Sequence, residues 1–116
     1  MTVRNARNNQ VLVNELEIAN SIFTRIVGLM GRPTLVEGRG LLIKRSGNSI
    51  HTFFMRFSID LVFVNSKGQI KYLVRNMKPW KLAIAPVFLR TDCLELPAGT
   101  IDKTNTKTGD YLSVET

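Results

Sequence analysis

Ile59-Asp60-Leu61-Val62-Phe63-Val64-Asn65-Ser66-Lys67-Gly68-Gln69-Ile70-Lys71-Tyr72-Leu73-Val74-Arg75 is the stretch that decides the fold. Leu61 to Val64 is apolar at every position and rich in β-branched and aromatic residues, the composition of a strand buried on both faces in the middle of a sheet. Asn65-Ser66-Lys67-Gly68 is a four-residue hairpin connection with glycine where a positive φ is needed. The return strand, Gln69 to Arg75, alternates: Ile70, Tyr72 and Val74 are expected inward and Lys71, Leu73 and Arg75 outward.

Upstream of this hairpin, Ile50 to Val64 is dominated by Thr, Ile, Val and Phe and reads as strand. Leu41-Leu42-Ile43 is a short buried strand set off by the turn Glu37-Gly38-Arg39-Gly40, and Lys44 to Asn48 is a loop. Asn20-Ser21 offers N-cap residues to Ile22, Phe23, Ile26, Val27, Leu29 and Met30, whose spacing predicts a helix over about 21–30, ended by Gly31 and Pro33. Val11, Val13, Leu16 and Ile18 alternate around Asn14-Glu15, which suggests a hairpin. Residues 1–9 are polar and aperiodic, the composition of a mobile lead-in.

Downstream, Met77-Lys78-Pro79-Trp80 breaks the return strand, and 80–90 reads as a loop or irregular strand around Pro86. Asp92 to Leu96 is a strand turned by Pro97-Ala98-Gly99, and Gly109-Asp110 leads into a last strand, Tyr111 to Val114. Many short strands and one helix predict a mainly β fold, a compact barrel or sandwich, with 10–116 as a single domain. A chain of 116 residues with 44% hydrophobic and 22% charged residues suits one core without disulfide or metal staples.

Cys93 is the lone cysteine, so an intramolecular disulfide is excluded. Met1 to Gln10 lacks the apolar run of a secretory signal, and no window approaches the ~18 apolar residues of a membrane span, so a cytoplasmic location with no membrane partner is expected. Charge is unevenly placed. Residues 39–90 hold ten basic residues against one acid, Asp60, a net +9, while the remainder of the chain is net −2. Such a segment either solvates the surface or attracts anions, nucleic acid among them.

A set of segments then resembles a known family, DUF192 of bacteria and archaea. They are Gly28-Leu29-Met30-Gly31-Arg32 with Leu35, Gly38 with Gly40-Leu41-Leu42-Ile43, Ser49 to Phe57, Ile59-Asp60 with Phe63, Pro79, Leu94-Glu95-Leu96 with Ala98-Gly99, and Gly109-Asp110. The resemblance implies a jelly-roll-like sandwich or barrel with a short helix, and it implies no activity. Two positions depart from the family pattern: Ser58 stands where a proline is usual, and Arg39 where an acid is common.

Candidate chemistry centres on Ser49 to Asp60. His51, the single histidine, makes neither a triad nor a zinc site, and no Cys/His pairing has metal-ligand spacing. Pairing His51 with Cys93 as a nucleophile requires a proximity that spacing does not supply, and Cys93 reads as a small buried side chain. Arg56 and Asp60, four apart, form either a partly buried ion pair or an anion-binding arginine oriented by an aspartate. Phe53, Phe54, Phe57 and Phe63 are either core or a stacking platform, with core the commoner fate. Trp80, beside Lys78 and Lys81, either flanks a pocket or lids one end of the fold.

The leading expectation is a non-enzymatic β domain, without cofactor or metal, that binds an anionic or sugar-like small ligand or a partner. Its expected site is a polar cluster of Ser49, His51, Thr52, Arg56 and Asp60, joined by Arg32. The alternatives are nucleic-acid or other polyanion binding through the basic 39–90 segment, and a hydrolase-like enzyme using His51.

Overall fold

A computed structural model describes residues 1–19, 32–46, 49–86 and 91–115. Ten strands follow in order: β1 (Thr2–Asn5), β2 (Val11–Val13), β3 (Glu15–Ala19), β4 (Arg39–Ile43), β5 (Ser49–His51), β6 (Ile59–Val64), β7 (Ile70–Met77), β8 (Leu82–Ile84), β9 (Asp92–Pro97) and β10 (Leu112–Glu115). One four-residue helix, α1 (Thr100–Lys103), lies between β9 and β10. The helix expected over 21–30 falls outside the described residues.

The central sheet has the order β3-β4-β9-β6-β7, with β3 parallel to β4 and the other pairs antiparallel. β6 lies between β9 and β7 and is buried along its whole length, as its apolar run predicts. Successive side chains alternate between two cores. On one side Val62, Val64, Ile70, Leu94 and Leu96 pack against Val3, Leu12 and Val13 of a small sheet ordered β10-β1-β2, with Ile101 of α1. On the other side Leu41, Ile43, Ile59, Leu61, Phe63 and Cys93 pack beneath Ile50, Met55, Met77 and Ala85. There the two-stranded ribbon β5-β8 forms the cover, with Ile50 and partly buried Ala83 facing in.

Several expectations change. The first nine residues carry β1, not a mobile lead-in, because β1 pairs with both β2 and β10 and buries Val3 and Asn5. The Asn5 amide donates to Asp110 Oδ2 at 2.9 Å, and Arg7 Nε donates to Asp110 Oδ1 at 2.7 Å, so the N-terminus is tied to the last loop. Val11–Val13 and Glu15–Ala19 are not a hairpin: they join different sheets, and Asn14 and Glu15 both donate to the Gly38 carbonyl where the chain crosses between layers. Gly40 makes that crossing possible, since a Cβ there would lie 2.7 Å from Val13 Cγ2.

Ile50 to Val64 is two strands, β5 and β6, separated by a looped segment at 52–58. In β7, a register shift between Phe63 and Val64 sets Phe63 opposite Tyr72 but Val64 opposite Ile70. This β-bulge turns Ile70 and Leu73 to one core and Tyr72 and Val74 to the other, so Leu73 packs inward against expectation.

Candidate functional site

The six residues of the expected polar cluster do not come together. Asp60 is buried on the side of the central sheet facing the small three-stranded sheet, where it accepts three backbone N–H groups: Asn76 at 2.8 Å on Oδ1, and Gly99 at 3.1 Å and Ile101 at 2.9 Å on Oδ2. It therefore joins the end of β7 to the turn opening α1, and it makes no ion pair with Arg56. Arg32 forms a two-pronged pair with Glu17 on β3, at 3.0 and 2.9 Å. That hydrogen bonding holds the Glu17 carboxyl below its ordinary range and raises the Arg32 guanidinium.

Thr52 is fully buried and acts as a knot between two turns. Its hydroxyl donates to the Lys78 carbonyl at 2.6 Å and accepts from the Lys81 N–H at 2.9 Å. Its own carbonyl accepts from Trp80 N–H at 2.9 Å, and its N–H donates to the Lys81 carbonyl at 2.9 Å. These four bonds clamp the segment after β5 to the segment before β8. Ser49, His51 and Arg56 remain outside the core, with Ser49 and Arg56 exposed.

The clamped turns carry an aromatic ledge. Phe53, Phe54 and Trp80 are exposed by 39%, 60% and 58%, while Phe63 is fully buried and Phe57 packs partly on the core. The four phenylalanines thus divide between core and surface. Rings form a chain: His51 stacks on Phe53 at 4.9 Å with 24° between planes, Phe53 lies 6.1 Å from Trp80, and Trp80 lies 4.6 Å from Phe54. The His51 ring is oriented by the Phe53 N–H, which donates to Nδ1 at 3.1 Å, so the neutral ring carries its hydrogen on Nε2.

Phe54 and Trp80 have φ of 65° and 64°, a left-handed backbone that costs a bulky side chain of order 1 kcal/mol or more. The Thr52 knot holds that strain in place and keeps both rings turned to solvent. Leu82 and Ile84 of β8 extend the exposed apolar surface beside His51 and Ser49, their partners across the ribbon. Arg56, Lys78 and Lys81 are exposed around the ledge and make no ion pair among the described residues.

A second unusual group lies on the same side of the central sheet. Glu95 of β9 is 3% exposed and stands in register between Leu41 and Leu61, so its carboxyl points into the apolar core. Burial pushes its pKa up to about 8, against a smaller downward pull from the Arg32 guanidinium. Cys93, two residues along, is also buried, and burial with the neighbouring Glu95 pushes its thiol well up, which opposes a thiolate nucleophile. No three His, Cys, Asp or Glu side chains among the described residues cluster as metal ligands. No described helix is long and apolar enough to cross a membrane.

Sequence reasoning missed Glu95, and it raised Phe53 and Phe54 as a stacking platform and Trp80 as a pocket flank without joining them into one ledge. An acid within Leu94-Glu95-Leu96, on a strand with apolar side chains toward both faces, is the signal that marks Glu95. The ledge depends on two left-handed aromatic residues far apart in sequence, and only the fold brings them together.

Fold and site define a small mainly β globule, with three sheets among the described residues and with a buried acid and an exposed aromatic face on one side of its central sheet. The DUF192 model, described as "Uncharacterized ACR", matches residues 2–114, and the chain belongs to that family. A UPF0127 protein of Thermococcus sibiricus is 32% identical over 114 residues, covering 96% of this chain and 73% of the relative. A UPF0127 protein of Pyrococcus furiosus is 32% identical over 104 residues, covering 84% of each chain. The crystal structure of a protein of unknown function from Novosphingobium aromaticivorans aligns with a TM-score of 0.83 at 20% identity, covering 97% of this chain and 82% of the other, a likeness of fold.

Proposed function

We propose that this protein is a non-catalytic binding module whose working surface is the ledge of His51, Phe53, Phe54 and Trp80, and whose ligand is an anion bearing a flat ring. The observation that carries the reading is the exposure of Phe53, Phe54 and Trp80 among Arg56, Lys78 and Lys81, cations with no ion pair among the described residues. Large aromatic side chains left in water lose the ~1.5–3 kcal/mol that burial of such a group supplies, and a ring stacked on them recovers part of it. Unpaired cations alongside supply the charge complement. Ser49 and His51 add polar groups at one border. A cytoplasmic site of action is part of the same reading, supported by a single, free and buried cysteine.

Trp80 is the only tryptophan, so its fluorescence reports directly on the ledge. Titration with adenosine 5′-monophosphate should quench it in a saturable way, more strongly than adenosine or ribose 5-phosphate, each of which supplies half of the recognition. Phe54→Ala and the double change Lys78→Ala/Lys81→Ala should each weaken the quench. Equal, non-saturating responses to all three compounds would overturn the reading.

A further inference from the structure

Eight of the basic residues of the 39–90 segment fall into two groups. Arg39, Lys44 and Arg75 are neutralised by Glu15, Asp92 and Asp102. Arg56, Lys67, Lys71, Lys78 and Lys81 make no ion pair among the described residues. These five are not scattered at random along the fold. Arg56, Lys78 and Lys81 surround the ledge, Lys71 lies on β7, the outer strand of the central sheet, and Lys67 sits in the turn at the other end of the β6-β7 hairpin. That turn borders an open cleft of about 750 Å³, lined by Lys67, Gln69 and Tyr111 and by Lys44 with its ion-pair partner Asp92, among others. Tyr111 is 47% exposed, a second aromatic side chain beside cations.

We infer that the ligand is a single-stranded nucleic acid, which stacks bases on the ledge and runs along β7 to the cleft, where Lys67 meets a phosphate and Tyr111 takes a further base. The inference rests on the ledge being a ring-binding surface and extends it to a second contact. Alternating aromatic platforms and unpaired cations along one path are what a backbone of phosphates with splayed bases requires. The six residues of β6 and eight of β7 separate the two ends by roughly 17 to 23 Å at the strand rise of ~3.3 Å per residue. At a stacked rise of ~3.4 Å per nucleotide this is about five to seven nucleotides, within the range of single-strand sites.

Length and salt separate the two levels of the argument. A three-nucleotide strand carrying a 5′-phosphate, dT3, reaches the ledge alone and brings three phosphates to about three cations. Its affinity should fall with a log–log salt slope of about −2, a loss of about 16-fold between 50 and 200 mM salt. A dT12 strand also meets Lys71 and Lys67, so its slope should steepen to about −3.5, a loss of about 130-fold over the same interval. The assay is Trp80 quenching by dT3 and dT12 with the whole chain, with circular dichroism confirming that each variant is folded. Lys67→Ala and Tyr111→Ala should each weaken dT12 by about fivefold or more and leave dT3 unchanged. If dT3 binds and dT12 shows the same slope and no sensitivity to either variant, the extended track is overturned while the ledge reading stands. If neither strand binds but phosphatidylglycerol vesicles shift Trp80 emission, the track is overturned together with the ring-binding reading, and the ledge is a lipid-facing surface.

Discussion

Replacing Glu95 with glutamine tests the most unusual electrostatic feature of the core. The carboxyl is buried in register between Leu41 and Leu61, and its pKa is pushed up to about 8 from an ordinary value of 4.5. In the unfolded chain the same group ionises near the ordinary value. The folded state therefore holds a proton that the unfolded state releases, and stability falls as pH rises from about 4.5 to about 8. Below that window the contribution is fully present, and above it the loss levels off. The difference of ~3.5 pKa units corresponds to about 5 kcal/mol across the window, at 1.36 kcal/mol per unit. Glutamine keeps the shape and cannot ionise, so Glu95→Gln should change little at pH 5 and be several kcal/mol more stable than the parent at pH 9. With an m-value of ~2 kcal/mol/M, that is a shift of about 2 M in the urea midpoint, read by Trp80 fluorescence at half-unit pH steps. Parallel midpoint-versus-pH curves for the two proteins would refute the reasoning, because they would mean that Glu95 ionises in the folded state as freely as in the unfolded one.

Three other perturbations follow from the same geometry. Asp60→Ala leaves the N–H groups of Asn76, Gly99 and Ile101 without their acceptor, and at ~1 kcal/mol or more each should cost about 3 kcal/mol or more in chemical denaturation. Thr52→Val preserves shape but removes the bonds to the Lys78 carbonyl and Lys81 N–H; it should cost about 1–3 kcal/mol, shift Trp80 emission and weaken ligand quenching. Asp110 is held down to about 2, chiefly by its hydrogen bond from Arg7, so its stabilising contribution is present above the ordinary value of 3.8 and is lost as pH falls through about 2. Arg7→Met should weaken that acid-induced drop in melting temperature, measured by circular dichroism between pH 5 and 2.

The hairpin β6-β7 was legible because its signals are local: an all-apolar run, a turn glycine and an alternating return. β1 was not legible, because Asn5 looks like a loop residue until Asp110, 105 positions away, supplies its partner. The same holds for β2 and β3, whose period-2 pattern is real but whose pairing partners, β1 and β4, are set by the crossing at Gly38. At the candidate site, residue type drew attention to Asp60 and Thr52, whereas their roles depend on what they face. An aspartate surrounded by three backbone donors and a threonine surrounded by two turns are architectural, and the side chains they free for solvent are the neighbouring aromatics.

Division of the molecule by its central sheet explains why the candidate surface lies where it does. On the side of the small three-stranded sheet, charged and polar groups are consumed in closing the fold: Asp60 binds three amides, and Asp110 binds Arg7, Asn5 and the Lys107 N–H. Such groups are expensive to disturb. On the ribbon side, Glu95 is buried with its pKa raised, two aromatic residues are held in left-handed backbone, and Leu82 and Ile84 lie in water. Each departs from what stability alone favours, and together they occur on one side of a single sheet. Function is therefore best sought on the ribbon side, and the Thr52 knot is the element through which a stability change and a binding change should move together.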